Sequence, residues 1–193
     1  MTEQRMNRRV LMTKRLMKDA LLELLEHQEL VDISVTAICE AADVHRSTFY
    51  KYYKNQADLL RDLEQEYLDQ IPMPSRDSEQ WDEDQLLAET TAFFDYVKHN
   101  EQAFGILLGE STSSDFAARI IDLLRSKYAE PDEAGKNTTS YYAQLYVANG
   151  TIGILREWVN KGFPISSREI AEMMYRFSLA VVPTRQKPSH ENL

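Results

Sequence analysis

The chain has 193 residues, 43% hydrophobic and 27% charged, so one or two small domains with a hydrophobic core are expected. Its formal net charge of −9 argues, taken alone, against a nucleic-acid partner, and its single cysteine excludes an intramolecular disulfide. Because no apolar run approaches the roughly 20 residues of a membrane span and no secretory signal is recognisable, we expect a cytoplasmic protein without membrane contact.

The charge is distributed unevenly along the chain. Residues 1–18 hold six basic side chains and one acidic side chain. Residues 62–193 hold 12 basic and 22 acidic side chains. Such asymmetry indicates an end that faces nucleic acid and an acidic body. We expect the basic end to form a flexible arm, in which Arg8, Arg9 and Lys14 either attract the DNA backbone or are simply solvated.

The first helix is predicted over Thr13–Glu29, because its apolar residues recur at spacings of three and four. Thr13 is the candidate N-cap of this helix. The apolar stripe consists of Leu16, Met17, Ala20, Leu21, Leu24 and Leu25.

Two short helices joined by a tight corner are predicted between Ser34 and Tyr53. Ser34 or Thr36 caps the first of them, and Thr36 can otherwise reach a phosphate. That helix ends near Ala42, and Asp43 occupies the corner, where we expect a left-handed backbone. The exposed second helix carries groups that fit a DNA major groove, which is wide enough for a helix. Its candidate contacts are Arg46, Ser47, Thr48, Tyr50, Tyr52 and Lys54.

Each of these side chains has a structural alternative. Arg46 can pair bidentately with guanine or be an ordinary solvated arginine. Ser47 and Thr48 can bind phosphate or base, or only stabilise the start of the helix. Tyr50 and Tyr52 can donate hydrogen bonds to phosphates, although one of them can pack against its own domain.

A fourth helix is predicted over about residues 55–70, with Asn55 as its cap and a carboxylate three residues later. Prolines, serines and acidic residues then make Ile71–Asp84 the best domain boundary. The expected organisation is a head at residues 1–54, the fourth helix as a connection, and a larger body at residues 71–193.

The body contains further helical patterns and no β-alternation, internal repeat or Gly-rich phosphate loop. Its predicted helices are Gln85–Asn100, Gln102–Leu108, Asp115–Tyr128, Ser140–Lys161 and Ser166–Val182. Gly162 suits a helix C-cap, and Ser166 or Ser167 suits the next N-cap. The whole chain is therefore predicted to be all-α. It shows no nucleophile–base motif, catalytic carboxylate spacing or metal-ligand spacing, so we expect no enzyme activity, metal or cofactor.

Gly150 and Gly153 lie inside a predicted helix, where each costs about 1 kcal/mol relative to alanine. A close helix crossing at a dimer interface would justify that cost, and a local kink is the alternative. Further candidates for the interface are Tyr146, Met173 and Phe177. Candidates for a ligand pocket are Phe94, Tyr142 and Trp158, although such aromatic residues can instead belong to a core or an interface.

The order and spacing of residues 20–60 resemble the DNA-binding domain of the TetR family of bacterial transcriptional regulators. The segments that carry this resemblance are Ala20–Leu25, Ser34–Cys39, Ala42–Tyr50, Tyr53–Asn55 and Leu59–Leu60. A second part resembles a C-terminal domain common among Firmicute members of the family. It consists of Asn149–Ile154, Glu157–Trp158 and Ile170–Ala171.

The resemblance implies a three-helix head with a helix-turn-helix and a body that dimerises through its last two long helices. In many members, a ligand in the body changes the spacing of the two heads. Three positions depart from the family: Asp43 replaces the usual Gly, His45 a Ser or Asn, and Gln56 a frequent Lys. Either the start of the helix is therefore capped in another way, or His45 itself contacts DNA. Lys54 can supply the phosphate contact instead of Gln56.

We therefore expect a homodimeric, TetR-like regulator that represses transcription by binding a palindromic, double-stranded DNA operator. A small-molecule or protein effector would control the spacing of its heads. The alternatives are an activator, a regulator controlled by a protein partner, and a helical interaction module without DNA binding.

Overall fold

A computed structural model describes residues 3–72, 83–109, 115–128 and 138–181. Within these ranges the regular structure is helical and no strand occurs, as the all-α prediction required. The α-helices are α1 (Glu3–Leu25), α2 (Val35–Ala41), α3 (Arg46–Tyr52), α4 (Gln56–Gln70), α5 (Glu83–His99), α6 (Glu101–Leu107), α7 (Phe116–Tyr128), α8 (Thr138–Asn160) and α9 (Ser167–Val181). A short 3₁₀ helix, Leu30–Asp32, lies between α1 and α2.

The helices form two compact units. The first, called the head unit below, comprises the chain through Ile71 together with Asn100–Ala117. The second, called the body unit, comprises Pro72–His99 and the chain from Ala118 onward. The chain therefore passes between the units three times. The functional division proposed from the sequence, into residues 1–54, a connecting helix and residues 71–193, stays a prediction.

The core of the head unit lies between its first four α-helices. α1 packs on α2 and on α4, and α2 packs on α3. Burial of each large apolar side chain stabilises this arrangement by about 1.5–3 kcal/mol relative to leaving it in water. The most completely buried side chains are Met17, Leu21, Ile33, Ile38, Phe49 and Leu59. Because Phe49 belongs to α3, this core determines which side of α3 faces outward.

α1 is longer than its apolar stripe predicts. It begins at Glu3 and ends at Leu25, so the predicted flexible arm is wrong for Glu3–Met12. The Thr13 hydroxyl donates to the Arg9 carbonyl at 2.9 Å, a bond inside a continuing helix, so Thr13 is not the N-cap. Residues 3–12 contain neither Gly nor Pro, and several of them are good helix formers, which lets the helix extend past the stripe.

Local hydrogen bonds define the helix-turn-helix. Ser34 Oγ accepts from the backbone N–H three residues on at 3.1 Å, so Ser34 rather than Thr36 caps α2. At the corner Asp43 has a φ of 51°, which confirms the expected left-handed backbone. The N–H of Val44 then donates to the Cys39 carbonyl at 2.9 Å and closes the turn between the two helices.

α6 and the first two residues of α7 complete the head unit from later in the chain. Gln102 Nε2 donates to Glu26 Oε1 of α1 at 2.6 Å. The Phe104 ring packs edge-on against Tyr67 of α4 and against Phe116, with ring centres 6.0 and 5.5 Å apart. These contacts lie far apart in sequence, and no local pattern predicted them.

The body unit is organised around α9. α5 and α8 both pack on this helix. The apolar side of α9 meets aromatic and aliphatic side chains of its two neighbours. The buried residues include Phe93, Phe94, Val97, Leu155, Trp158, Ile170 and Ala171.

The turn between α8 and α9 has an unusual backbone. Gly162 and Phe163 are both left-handed, with φ of 67° and 61°. Phe163 lacks the freedom of glycine, and its ring is held 4.7 Å from the Trp158 ring, measured between centres. Beyond the turn, Ser166 Oγ accepts from the Glu169 N–H at 3.2 Å while the Glu169 carboxylate accepts from the Ser166 N–H at 2.8 Å. This capping box identifies Ser166 as the N-cap of α9.

Candidate nucleic-acid interface

The outer side of α3 carries hydroxyl, aromatic and basic groups. Phe49 and Tyr53 are buried, at 0% and 4% exposure, so the opposite side of the helix faces solvent. Spacings of three and four residues align the exposed side chains along that side. The resulting surface, called the α3 surface below, consists of Arg46, Ser47, Tyr50 and Lys51 of the helix and of Lys54, two residues beyond its end.

The side chains predicted to contact DNA are not equally accessible. The exposed ones are Thr36, His45, Arg46, Ser47, Tyr50 and Lys54, and the half-buried ones are Thr48 and Tyr52. Lys51 is also exposed, but the sequence-based selection omitted it. Its position four residues after Ser47 was the signal that would have placed it on the same side of the helix.

Arg46 and Tyr50 form a pair one helical turn apart. The guanidinium carbon of Arg46 lies 6.0 Å from the centre of the Tyr50 ring. The same ring meets the buried Phe49 edge-on, with centres 5.6 Å apart. An exposed cation–π contact contributes about 0.5–1 kcal/mol, enough to bias a flexible arginine. Tyr50 therefore helps to hold the guanidinium on the α3 surface.

The two ends of α3 differ in how they are capped. At its start, His45 is extended and exposed, and its side chain makes no capping hydrogen bond. Beyond its end, Asn55 Oδ1 accepts from the Asp58 N–H at 2.9 Å, and Asp58 Oδ2 accepts from the Lys54 N–H at 3.1 Å. The Asp58 carboxylate stabilises the first turn of α4 but would repel a phosphate there. Gln56 is half-buried, whereas Lys54 is exposed at this end.

A charged network behind the α3 surface ties the end of α3 to α1 and α4. The Tyr53 hydroxyl donates to Asp62 Oδ2 at 2.7 Å. Lys18 Nζ lies 3.0 Å from the same oxygen and 2.6 Å from Glu66 Oε2. Lys14 Nζ lies 3.5 Å from Asp62 Oδ2 and 5.2 Å from the centre of the Tyr53 ring. Because Tyr53 is the C-cap residue of α3, this network holds the end of α3 against α1 and α4.

The network holds three groups in defined protonation states. Burial alone would raise the pKa of Asp62, but hydrogen bonds from Tyr53 and Lys18 lower it below its ordinary value. Burial alone would lower the pKa of Lys18, but hydrogen bonds to Glu66 and Asp62 raise it. Burial, reinforced by the bond to Asp62, raises the pKa of Tyr53. At neutral pH the network therefore contains an anionic Asp62, a cationic Lys18 and a neutral Tyr53.

A second exposed surface lies on α8 in the body unit. Tyr142 and Tyr146 are 61% and 68% exposed, and Gly150 and Gly153 are also exposed on the same side of the helix. A Cβ atom added at either glycine would meet no other atom within 4 Å. Packing within this chain therefore does not account for the two glycines, among the residues that the structure describes.

The interface candidates on α9 also share one side of their helix. Phe177 is 50% exposed, and Met173, one turn earlier, is half-buried. Together with Glu169, Glu172 and Arg176 they line a groove of about 230 Å³ on the surface of the body unit. Large apolar groups thus face solvent on both α8 and α9.

The structure separates the three candidates for a ligand pocket. Phe94 and Trp158 pack edge-on with ring centres 5.4 Å apart, and both are buried. The Trp158 indole N–H donates to the Ile165 carbonyl at 2.9 Å. Tyr142 lies 16 residues before Trp158 on α8, which is about 24 Å along a helix axis. Tyr142 therefore shares the exposed side of Tyr146 and does not meet the other two.

Two kinds of site do not occur in the parts of the chain that the structure describes. No helix there has the length and apolar composition to cross a bilayer. No group of three or more His, Cys, Asp or Glu side chains in those ranges is placed to hold a metal ion.

Comparisons with known proteins relate this chain to regulators. The model of a protein family described as the C-terminal region of transcriptional regulators matches residues 84–179 of this chain. No curated protein sequence matches the chain. The fatty acid degradation regulator FadR from Bacillus halodurans superposes with a TM-score of 0.65 and 18% identity, over 91% of this chain and 97% of that chain.

Two further solved structures share the fold. A TetR transcriptional regulator from Streptococcus agalactiae has a TM-score of 0.62 and 18% identity, over 94% of this chain and 99% of that chain. NalD from Pseudomonas aeruginosa, the secondary repressor of a multidrug efflux pump, has a TM-score of 0.56 and 17% identity, over 92% and 100%.

Proposed function

Because this chain belongs to the TetR family of transcriptional regulators, we propose that it is a repressor that binds a palindromic operator as a homodimer. The α3 surface carries this proposal, since it is an exposed, basic helix side on a helix-turn-helix. In the bound state each α3 enters a major groove. Two-fold symmetry then separates the half-sites by about one helical turn, roughly 34–36 Å, or a multiple of it.

The side chains of the α3 surface divide into two roles. Arg46 pairs with guanine, because its guanidinium is the group that reads guanine bidentately in the major groove. Ser47, Tyr50, Lys51 and Lys54 bind phosphates and set the register of the helix on the duplex. We assign Thr36, His45, Thr48 and Tyr52 to the margin of this contact, since Thr48 and Tyr52 are half-buried and Thr36 and His45 lie outside α3.

The homodimer forms through the exposed sides of α8 and α9. Dimerisation would bury three exposed aromatic side chains, those of Tyr142, Tyr146 and Phe177, and burial of such groups drives association. The two glycines, Gly150 and Gly153, would let a helix of the second copy approach closely, which accounts for their cost in α8.

Effector control follows from differential binding. A small-molecule or protein effector releases DNA only if it binds one spacing of the heads better than another. Phe94 and Trp158 are already in contact, so a ligand at that place would have to displace their packing.

Genomic DNA selection tests the proposal. The purified protein is incubated with fragmented genomic DNA, and the retained fragments are sequenced. We expect a few fragments with a shared palindrome, and a purified transcription reaction from an adjoining promoter should slow when the protein is added. Retention no better than bulk DNA would overturn the proposal and favour an interaction module. Faster transcription would make the protein an activator.

A further inference from the structure

We propose that the first part of α1 makes a second DNA contact, in which Arg8 and Arg9 bind phosphates that flank the bases covered by α3. This inference rests on the operator binding proposed above, and it extends the contact to a segment outside the helix-turn-helix.

The basic side chains of α1 fall into two groups. Lys14, Arg15 and Lys18 each lie close to a carboxylate, at 3.5, 3.8 and 2.6 Å. Arg8 and Arg9 are exposed and form no ion pair with any side chain that the structure describes. The charge of the first group is used within the head unit, whereas the charge of Arg8 and Arg9 is available to an external anion.

The pairing of α1 with α4 shows where these two arginines lie. Lys14 contacts Asp62, and Lys18, one turn later, reaches both Asp62 and Glu66, so the two helices run in the same direction. The N-terminal part of α1 therefore lies toward the start of α4. Lys14 also lies against the Tyr53 ring at the end of α3. Arg8 is six residues earlier, about 9 Å further along the axis.

The two arginines thus extend from the head unit at the end where α3 stops. Lys54, the exposed cation of the α3 surface at that end, directly follows Tyr53. Asp58 is the nearby carboxylate on α4, and it is engaged by the Lys54 N–H at 3.1 Å and lies 4.0 Å from Arg61. Arg8 and Arg9 therefore lie, along the axis of α1, at the same end of the head unit as Lys54.

Just after the two arginines, α1 exposes two large apolar side chains. Leu11 and Met12 are 62% and 58% exposed, and the first fully buried position of the helix is Met17. A helical turn whose apolar side chains are exposed gains little stability from tertiary packing. Contact with the DNA backbone would supply the missing support. Arginine suits this contact because its planar fork donates to phosphate oxygens bidentately.

The experiment measures the salt dependence of binding. Arg8→Gln/Arg9→Gln and wild type are titrated between 50 and 200 mM salt with an operator duplex obtained by genomic selection and with a random duplex of equal length. We expect the affinity of the variant to fall equally for both duplexes. Its slope of log K against log salt should be shallower by about 1 for each phosphate that the variant no longer binds.

Two matched variants separate a local contact from a change in net charge. Lys161→Gln/Arg168→Gln removes the same charge from exposed sites of the body unit and should leave the slope unchanged. Arg8→Lys/Arg9→Lys keeps the charge and should restore the slope. Removal of the base pairs that flank the palindrome should weaken DNA binding by wild type and leave DNA binding by Arg8→Gln/Arg9→Gln unchanged.

An unchanged slope in the Arg8→Gln/Arg9→Gln variant, with intact helicity by circular dichroism, would overturn this inference while operator binding stands. An equal change in the body-unit control would also overturn it, since the effect would then be one of net charge. Failure of wild type to bind any selected duplex would instead overturn the proposed function, and this extension with it.

Discussion

Arg46 and Tyr50 show how a single exposed contact can prepare a side chain for recognition. A free arginine samples many rotamers, and ordering it on binding costs conformational entropy. The ring of Tyr50, 6.0 Å from the guanidinium carbon, restricts that freedom in advance of the proposed contact with DNA. Tyr50 is itself held by its edge-on contact with Phe49, so the buried core reaches the α3 surface through one aromatic side chain.

We predict that Arg46→Ala reduces binding to the selected operator by about 1–3 kcal/mol and weakens discrimination at one base pair. Truncation removes the bidentate fork but leaves the buried side of α3 intact, so the melting temperature should not change. Fluorescence titration at fixed salt against single-base operator variants measures both effects.

Lys51→Ala serves as the matched control on the same helix, because removal of a side chain proposed to bind phosphate should weaken all duplexes alike. Equal reductions in affinity on every operator variant for Arg46→Ala would place Arg46 among the phosphate contacts and remove its reading role.

Asp43 illustrates a departure that the backbone tolerates. The corner of the helix-turn-helix requires positive φ, which glycine adopts freely and aspartate adopts better than most other residues. The substitution of Asp for the usual Gly therefore leaves the corner in place.

At the scale of elements, the placement of α3 depends on α1 and α4 as much as on its own sequence. Asp62 of α4 accepts a hydrogen bond from the Tyr53 hydroxyl at the end of α3, and it lies beside the Lys18 ammonium of α1. One carboxylate thus joins three helices. Its protonation should loosen all three connections together.

We predict that acid destabilises the head unit partly through Asp62. The folded pKa of Asp62 lies below its unfolded value of about 3.9, so its contribution is present above that value and is lost as pH falls through the folded pKa. Asp62→Asn should lower the unfolding free energy at pH 7 and flatten its decline between about pH 5 and the acid limit. Urea unfolding at a series of pH values measures this.

Asp69→Asn, an exposed carboxylate on the same helix, provides the comparison. If Asp62→Asn and Asp69→Asn gave the same pH profile, the network would not hold Asp62 in its ionised state. Tyr53→Phe keeps the ring and removes only the donor, so it should reproduce part of the Asp62→Asn effect.

Local signals predicted much of this architecture. Ser34, Asp43, Asn55 and Ser166 are found at the caps and corner where short-range chemistry placed them. The periodic stripes predicted the helices, but they placed the start of α1 at Thr13 instead of Glu3, because its first turns carry no apolar pattern. Capping and periodicity act over a few residues, so these features are readable from a single sequence.

Contacts between residues that are far apart in the sequence could not be predicted from such local signals. The pairing of Lys18 with Glu66 spans 48 positions, and the bond of Gln102 to Glu26 spans 76. Tyr142 was grouped with Phe94 and Trp158 by residue type, whereas the face of α8 that carries it is set by how that helix packs. The DNA, interface and pocket roles of the candidate residues stay predictions.

The exposed glycines of α8 permit a sharp test of the proposed association of two copies of the molecule. We predict that Gly150→Leu weakens association of two copies, since a bulky side chain would hold the helices apart. The same change removes a poor helix former from an open site, so the isolated chain should be equally or more stable, by up to about 1 kcal/mol. Sedimentation equilibrium and thermal unfolding distinguish the two effects.

Ala88→Leu adds a similar side chain to an exposed site on α5 and should leave association unchanged. A monomer–dimer equilibrium that Gly150→Leu does not alter would exclude this side of α8 from the interface.

The three passages of the chain between its units have a consequence for synthesis and recombination. During synthesis, α5 of the body unit leaves the ribosome before Phe104 and Phe116 of the head unit. The head unit therefore cannot complete its packing until part of the body unit has emerged. A gene fusion joined once after Ile71 would place Tyr67 opposite a foreign residue instead of Phe104. To exchange the head units of two such regulators, α6 must therefore be transferred together with α1–α4, although the segment that encodes α5 of the body unit lies between them in the gene.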